Sequence, residues 1–145
     1  MTPDVNVLVA AARSDHPHHG VAREWLEHTL AEPASDAACT LMPMVVASFL
    51  RLVTSSRIFT VPSTIEDAVG FLDRLLDVPG VQLAQLGPEW GRFRQLCLDK
   101  GLSGNDLPDA WLAAAVSQRG ERLITFDRDF RRLLGRAHLT VLAPR

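Results

Sequence analysis

Gly104-Asn105-Asp106-Leu107-Pro108-Asp109-Ala110-Trp111-Leu112-Ala113-Ala114-Ala115 places two carboxylates, three residues apart, at the mouth of a helix that is otherwise almost wholly apolar. Alone, this is ordinary helix chemistry. Aspartate is a favoured N-cap, Pro108 fits a first turn, and a second acid there complements the positive end of the helix dipole. On that reading Asp106 is the cap. Two other stretches change the weighting. Thr125-Phe126-Asp127-Arg128-Asp129-Phe130 puts a second acidic pair where a strand feeds a short helix, and Pro3-Asp4-Val5-Asn6-Val7-Leu8 carries a lone acid in an apolar segment. A carboxylate buried without a partner is expensive, so Asp4 is the hardest of these acids to explain as structure alone.

The chain has 145 residues, 47% of them hydrophobic and 22% charged, with a formal net charge of −2. That length suits one domain over 1–145, with a core large enough to need neither disulfides nor a structural metal. A net charge near zero excludes a global basic field, so a nucleic-acid partner has to be held by a local patch or through metal. Cys39 and Cys97 have apolar neighbours and no metal-ligand spacing, which reads as two buried thiols in a reducing cytoplasm. No positive-then-apolar leader opens the chain, and no apolar run approaches the roughly 18 residues of a membrane span. A cytoplasmic protein with no membrane partner is the expectation.

By periodicity, Met1 to about Leu8 reads as a strand. Val21, Ala22, Trp25, Leu26 and Leu30 recur at helical spacing over His18–Leu30, with Pro33 and Ser35 ending that helix. Ala37–Met42 reads as a strand and Met44–Thr54 as a helix broken by Ser55-Ser56-Arg57. Ser63 with Glu66 is a capping-box signature opening an amphipathic helix that Pro79-Gly80 stops. Val81–Leu86 alternates as a strand. Pro88 opens a helix with Trp90, Phe93, Leu96 and Cys97 on its inner face, ended by Gly101. The Asp109 helix runs to about Arg119, with Gly120 as its stop. Leu123–Thr125 is a short strand, Asp127–Leu134 a short helix and Leu139–Leu142 a final strand. Strands alternating with helices predict an α/β fold with a mainly parallel sheet covered on both faces.

In such a sheet, ligands bind at the carboxyl ends of the strands. Asp127 lies at such an end, and Asp109 opens a helix that can lie beside it. If Asp4 also ends its strand, three acidic points converge. Two carboxylates about 4 Å apart repel by roughly 4 kcal/mol at an effective dielectric of 20. A hard cation resolves that repulsion, and an all-oxygen site suits Mg²⁺ or Mn²⁺. A metal so held activates water and stabilises charge on a phosphodiester.

At these residues the sequence resembles the PIN-domain ribonucleases, specifically the VapC toxins of bacterial toxin–antitoxin modules. The matching pieces are Asp4-Val5-Asn6-Val7-Leu8, Phe49-Leu50-Arg51-Leu52-Val53-Thr54-Ser55, Gly104-Asn105 with Asp109-Ala110 and Ala113-Ala114, and Thr125 to Phe130. Each is weakly specific; the ordered set, spanning nearly the whole chain, is strong. The resemblance implies a three-layer α/β/α domain with a parallel sheet of about five strands. It implies a Mg²⁺- or Mn²⁺-dependent endoribonuclease, usually dimeric and silenced by a cognate VapB-like antitoxin. The family's acids fall on Asp4, Asp109 and Asp127, with Asp129 close by. The resemblance also moves the first strand's end to Asp4 and starts a helix near Asn6. Only about four residues of strand then precede Asp4, so a natural start slightly upstream of Met1 is expected.

One departure stands out. The family carries a Glu on the helix after the second strand, and alignment on Arg51 puts Val46 there. No acid lies anywhere from Ala37 to Ile65. Either Asp129 or Asp106 makes up the charge, or the metal keeps more water, as Mg²⁺ readily does. Asn6 and Thr125 are supporting candidates, one as a carboxylate partner or an N-cap, the other as an orienting hydroxyl or an ordinary strand threonine. Ser48 offers some polarity near the missing Glu. Arg51, Arg57 and Arg128, with Arg131, Arg132 and Arg136, are candidates for phosphate or antitoxin contact. The spacing of His16, His18 and His19 around Pro17 fits no helical metal pair. Trp25, Trp90 and Trp111 read as core or interface residues, with Trp111 near enough to Asp109 for base stacking.

Two rival functions stay open. One is a PIN-like binding module for antitoxin or RNA that cuts poorly because Val46 replaces the acid. The other is an aspartyl-phosphate receiver or phosphatase. Against the second, Asp4 is followed by Val5-Asn6 rather than a second acid in a D-x-D arrangement, and Lys100 is the only lysine.

Overall fold

The computed structural model describes residues 1–31 and 39–144. The helix end expected at Pro33 and Ser35, and the first residues of the strand expected from Ala37, lie outside the described residues. The chain runs β1 (Thr2–Pro3), α1 (Val5–Ala12), α2 (His19–Ala31), β2 (Cys39–Leu41), α3 (Pro43–Val53), α4 (Ile65–Leu76), β3 (Val81–Leu83), α5 (Trp90–Lys100), α6 (Asp106–Gln118), β4 (Leu123–Thr125) and β5 (Leu139–Val141). Short 3-10 turns cover Arg128–Arg132 and Arg136–His138.

Every strand pairing is parallel: β1 with β4, β4 with β5, and β2 with β3. The Thr40 amide donates to the Met1 carbonyl at 2.9 Å and joins the two sets. The strand order is therefore β3-β2-β1-β4-β5, and it reverses between β1 and β4. Right-handed crossovers then send the two halves' helices to opposite faces. The contacts agree with this: α1 touches α2 and α3, α3 touches α4, and α5 packs on α6. This is the expected three-layer α/β/α sandwich.

Two helices are buried nearly all round, as their composition demands. In α1, Val7 to Ala11 are all buried, and in α6 Ala110 and Leu112 to Val116 are. Phe49 and Phe130 are the largest side chains sealed in the core. Cys39 is buried and Cys97 half-buried, and both are unpaired thiols. Burial pushes the Cys39 thiol up to about 11, so it is inert packing.

Several local expectations are corrected. The strand expected over Met1–Leu8 stops at Pro3, and Asp4 caps the helix that follows. The periodicity failed because α1 is buried on every side and shows no polar stripe. Thr64, not Ser63, caps α4, accepting from the Asp67 amide at 3.1 Å. The Ser63 hydroxyl is instead held by Arg13 at 3.0 Å. Asn105 occupies the N-cap position of α6, so Asp106 lies in the first turn. The segment after Asp127 is a 3-10 turn rather than an α-helix. Trp90 does not face inward; it is 55% exposed, and α5 has no fully buried residue.

Candidate active site

The order reversal places the carboxyl ends of β1 and β4 side by side, the position where open α/β sheets form a crevice. Asp4 follows β1 directly and is 6% exposed. As the N-cap of α1, its Oδ1 accepts from the Val5 amide at 2.7 Å. Its Oδ2 accepts from the Thr125 hydroxyl at 2.7 Å and from Asn6 Nδ2 at 3.1 Å. Thr125 is the last residue of β4. Its hydroxyl gives its proton to Asp4 and accepts from Asn6 Nδ2 at 3.0 Å and from the Asp127 amide at 3.0 Å. Asn6 Oδ1 accepts from the Phe126 amide at 3.2 Å. Asn6 is therefore no cap. It laces α1 to the loop after β4 and fixes the angle between Asp4 and Asp127.

Asp127 uses Oδ1 to accept from the Asp129 amide at 2.8 Å, closing the turn that carries Asp129 outward to solvent. Asp109, half-buried in the first turn of α6, is the third acid. Burial, then the charges of Asp4, Asp127 and Asp106, push its carboxyl from 3.8 to about 6, with Arg132 pulling the other way. Asp4 is also raised, by burial first and by Asp127 among the rest, against the hydrogen bonds of Thr125, Val5 and Asn6. Asp4, Asp109 and Asp127 thus share one electrostatic site. Asp106 belongs to its edge, with Arg132 Nη2 at 3.2 Å from its carboxylate. Among the described residues, no three acidic, histidine or cysteine side chains lie close enough to form a ligand cluster for an ion.

Arg51, Arg57 and Arg128 are all exposed: Arg51 in the last turn of α3, Arg57 in the loop after it, and Arg128 beside Asp127. Val46 is half-buried against the core and brings no charge. Two features had no sequence signal. His18 packs its ring on Phe126, with centroids 4.9 Å apart. Glu89, 3% exposed, holds Trp111 Nε1 at 2.6 Å. Burial raises the Glu89 carboxyl, but the bonds from Trp111 and the Gly87 amide prevail and hold it below its usual range. Trp111 is therefore fastened to the start of α5 through Glu89 and packs on Phe93 at 4.6 Å, which ties α6 to α5.

The site is an acid-lined crevice at the switch point of a parallel α/β sheet, and no glycine-rich dinucleotide-binding turn follows β1. The PIN-domain family model matches residues 1–134, and the chain belongs to the PIN-domain family. It is 39% identical to Ribonuclease VapC25 of Mycobacterium tuberculosis over 137 residues, 94% of each chain. It is 38% identical to Ribonuclease VapC31 of the same organism over 137 residues, again 94% of each. A crystal structure of VapBC2 from Rickettsia felis, bound to a DNA fragment from its promoter, matches with a TM-score of 0.62. That match covers 97% of this chain and 96% of the other at 16% identity, and it supports the fold.

Proposed function

We propose that the chain is a VapC-type endoribonuclease toxin, dependent on Mg²⁺ or Mn²⁺, that Asp4, Asp109 and Asp127 form its centre, and that Asp129 and Asp106 flank it. The observation that carries this is the meeting of three carboxylates at the β1/β4 switch point, where burial first and then the charges of Asp4, Asp127 and Asp106 push Asp109 to about 6. The donor set is carboxylate oxygen throughout, which fits a hard cation that keeps much of its own water and takes only one or two ligands directly. A bound divalent ion there supplies an activated water and neutralises charge on the scissile phosphate.

The chain's own residues do the positioning. Thr125 and Asn6 hold Asp4 by three hydrogen bonds with Val5, so its second lone pairs keep a fixed direction. The Asp127 turn ties the other wall to the same threonine. Asp109 feels the charge of both and has no hydrogen-bond donor of its own among the described residues, so it carries the least internal compensation. Arg51, Arg57 and Arg128 offer exposed guanidinium groups for RNA phosphates or for an acidic antitoxin segment. Ile65, Val69 and Leu76 are exposed along α4 and give an apolar face for an antitoxin or a second copy of the chain. No helix among the described residues is long and apolar enough to cross a membrane.

The test is incubation of the chain with structured RNA and Mg²⁺. Discrete fragments that vanish on chelation are expected. Unchanged fragments from Asp109→Asn protein would sink the reading. A second reading, a slow or silent relative that chiefly binds, draws on Val46 standing half-buried where the family's Glu is expected. Restoring the acid with Val46→Glu separates the two.

A further inference from the structure

A cleft of about 530 Å³ opens beside the acids, between the start of α1, the α1–α2 turn and the loop after α3. Val9, Leu52, Ile58 and Phe59 give it apolar walls, and Asn6 and His16 give it polar ones. That size and mixture suit a small flat ligand. Two features tie it to the acid site. Asn6 lines the cleft and also bonds Asp4 and Thr125. The rings continue from it as well: His16 lies 5.5 Å from His18, and His18 lies 4.9 Å from Phe126, between Thr125 and Asp127.

The electrostatics choose the occupant. Asp15 at the rim is neutralised by Arg13, whose Nε and Nη2 lie 3.0 and 2.7 Å from its carboxylate. Arg13 also bonds the Val61 carbonyl at 2.7 Å and sits 4.2 Å over the Phe59 ring. The loop wall is thereby pinned, and the cleft is preformed. Burial, then the His18 charge, pulls His16 below the ordinary histidine range. Its Nδ1 accepts from the His18 amide at 3.0 Å, which leaves the ring proton on Nε2. No unpaired cation lines the cleft to hold a phosphate. An uncharged, hydrogen-bonding aromatic ring fits it.

We infer that the cleft holds one unpaired nucleobase of the RNA, next to the phosphate presented to the acids. This rests on the ribonuclease reading. It lets the chain choose single-stranded bonds by stacking and hydrogen bonding at the base, where a net charge of −2 gives little general pull on RNA.

The test follows the carbon-bound imidazole proton signals of the metal-free chain, assigned with His16→Gln and His18→Gln. The four nucleoside 5′-monophosphates are titrated against ribose 5-phosphate. Saturable ring-current shifts at His16 from the base-bearing ligands, absent with ribose 5-phosphate, are expected. Equal shifts from ribose 5-phosphate, or none from any nucleotide, overturn the proposal. A response only on adding the cognate antitoxin gives the cleft to a protein and overturns it too. Ile58→Trp fills the cleft from a position 51% exposed. It should weaken nucleotide binding about tenfold, one stacked base's worth, and redistribute cuts along a mixed-sequence RNA. An unchanged cutting pattern sinks the cleft alone, whereas wild-type protein that never cuts sinks the nuclease reading.

Discussion

The two ends of the central strands each set a carboxylate against threonine hydroxyls, and they treat it oppositely. At the amino ends, Glu121 accepts from Thr2 at 2.5 Å and from Thr40 at 2.8 Å, and Arg119 stands 3.4 Å away. Its charge is answered by a cation and by donors from β1 and β2. At the carboxyl ends, Asp4 accepts from Thr125 and Asn6, but its charged neighbours are Asp109 and Asp127. Donors are present there, and the cation whose charge reaches Asp109, Arg132, pairs with Asp106 at the edge and leaves the Asp109 carboxyl raised. The fold closes the account of charge at one end and leaves it open at the other. An acid paired with its own cation reads as structure, whereas a half-buried acid such as Asp109, raised by its acidic neighbours, is the one the proposed function draws on.

Asp109→Asn is the sharpest way to break that contrast. RNA cleavage should fall on the order of a thousandfold, the loss expected on deleting one preorganised electrostatic group. The metal-free protein should not lose stability, because the substitution removes repulsion. A quantitative cleavage assay beside a thermal melt reads both. A large fall in melting temperature would mean that Asp109 is a structural acid after all.

Glu121→Ala is the mirror experiment. It removes the acceptor of two fully buried threonine hydroxyls, Thr2 and Thr40, and leaves Thr40 only the bond it accepts from Gln82. The expected loss is about 3 kcal/mol, roughly 10 °C in melting temperature. Cleavage per folded molecule should be unchanged. Reduced cleavage at full folding would deny the separation of the two ends.

Val46→Glu extends the open end. Val46 is half-buried, so a new carboxylate there meets some desolvation. If the missing acid limits the rate, cleavage should rise by about tenfold, one ligand-shell increment. No gain would show that the remaining acids already set the rate and would remove the weak-nuclease reading.

The sequence reveals the two ends unequally. Asp4, Asp109 and Asp127 are legible as candidates because residue type and chain order carry them, and the apolar run after Asp109 marks α6. The geometry between them is not legible. A strand of two residues, Thr2–Pro3, leaves no period to detect, and α1 has no polar face to betray a helix. Ser63 and Thr64 are chemically equivalent caps; Arg13, fifty residues earlier, takes the serine and leaves the threonine. Asp106 looks like a cap until Arg132 claims it from across the site. The Glu121 cluster and the His18–Phe126 contact join residues about a hundred positions apart, where no local pattern reaches.

The smallest effect probes the open end by pH. Asp109 ionises at about 6 in the folded chain against 3.8 ordinarily, and Asp4 is shifted in the same direction. The folded state therefore holds these protons more tightly than the unfolded state. Their contribution to stability is fully present below about pH 4 and is lost as pH rises through 6. Asp109 is only half-buried, so solvent screening discounts its share to about 1 kcal/mol, or roughly 3 °C. Metal-free protein should melt higher at pH 5 than at pH 7.5 by that amount, once other groups are subtracted using Asp109→Asn as the reference. Added Mg²⁺ should reverse the order, since it competes with protons for the same oxygens and binds better at pH 7.5. Glu121, already matched by Arg119, should contribute nothing to that reversal. If Glu121→Gln removes the Mg²⁺-dependent shift and Asp109→Asn does not, then the metal sits at the wrong end of the sheet.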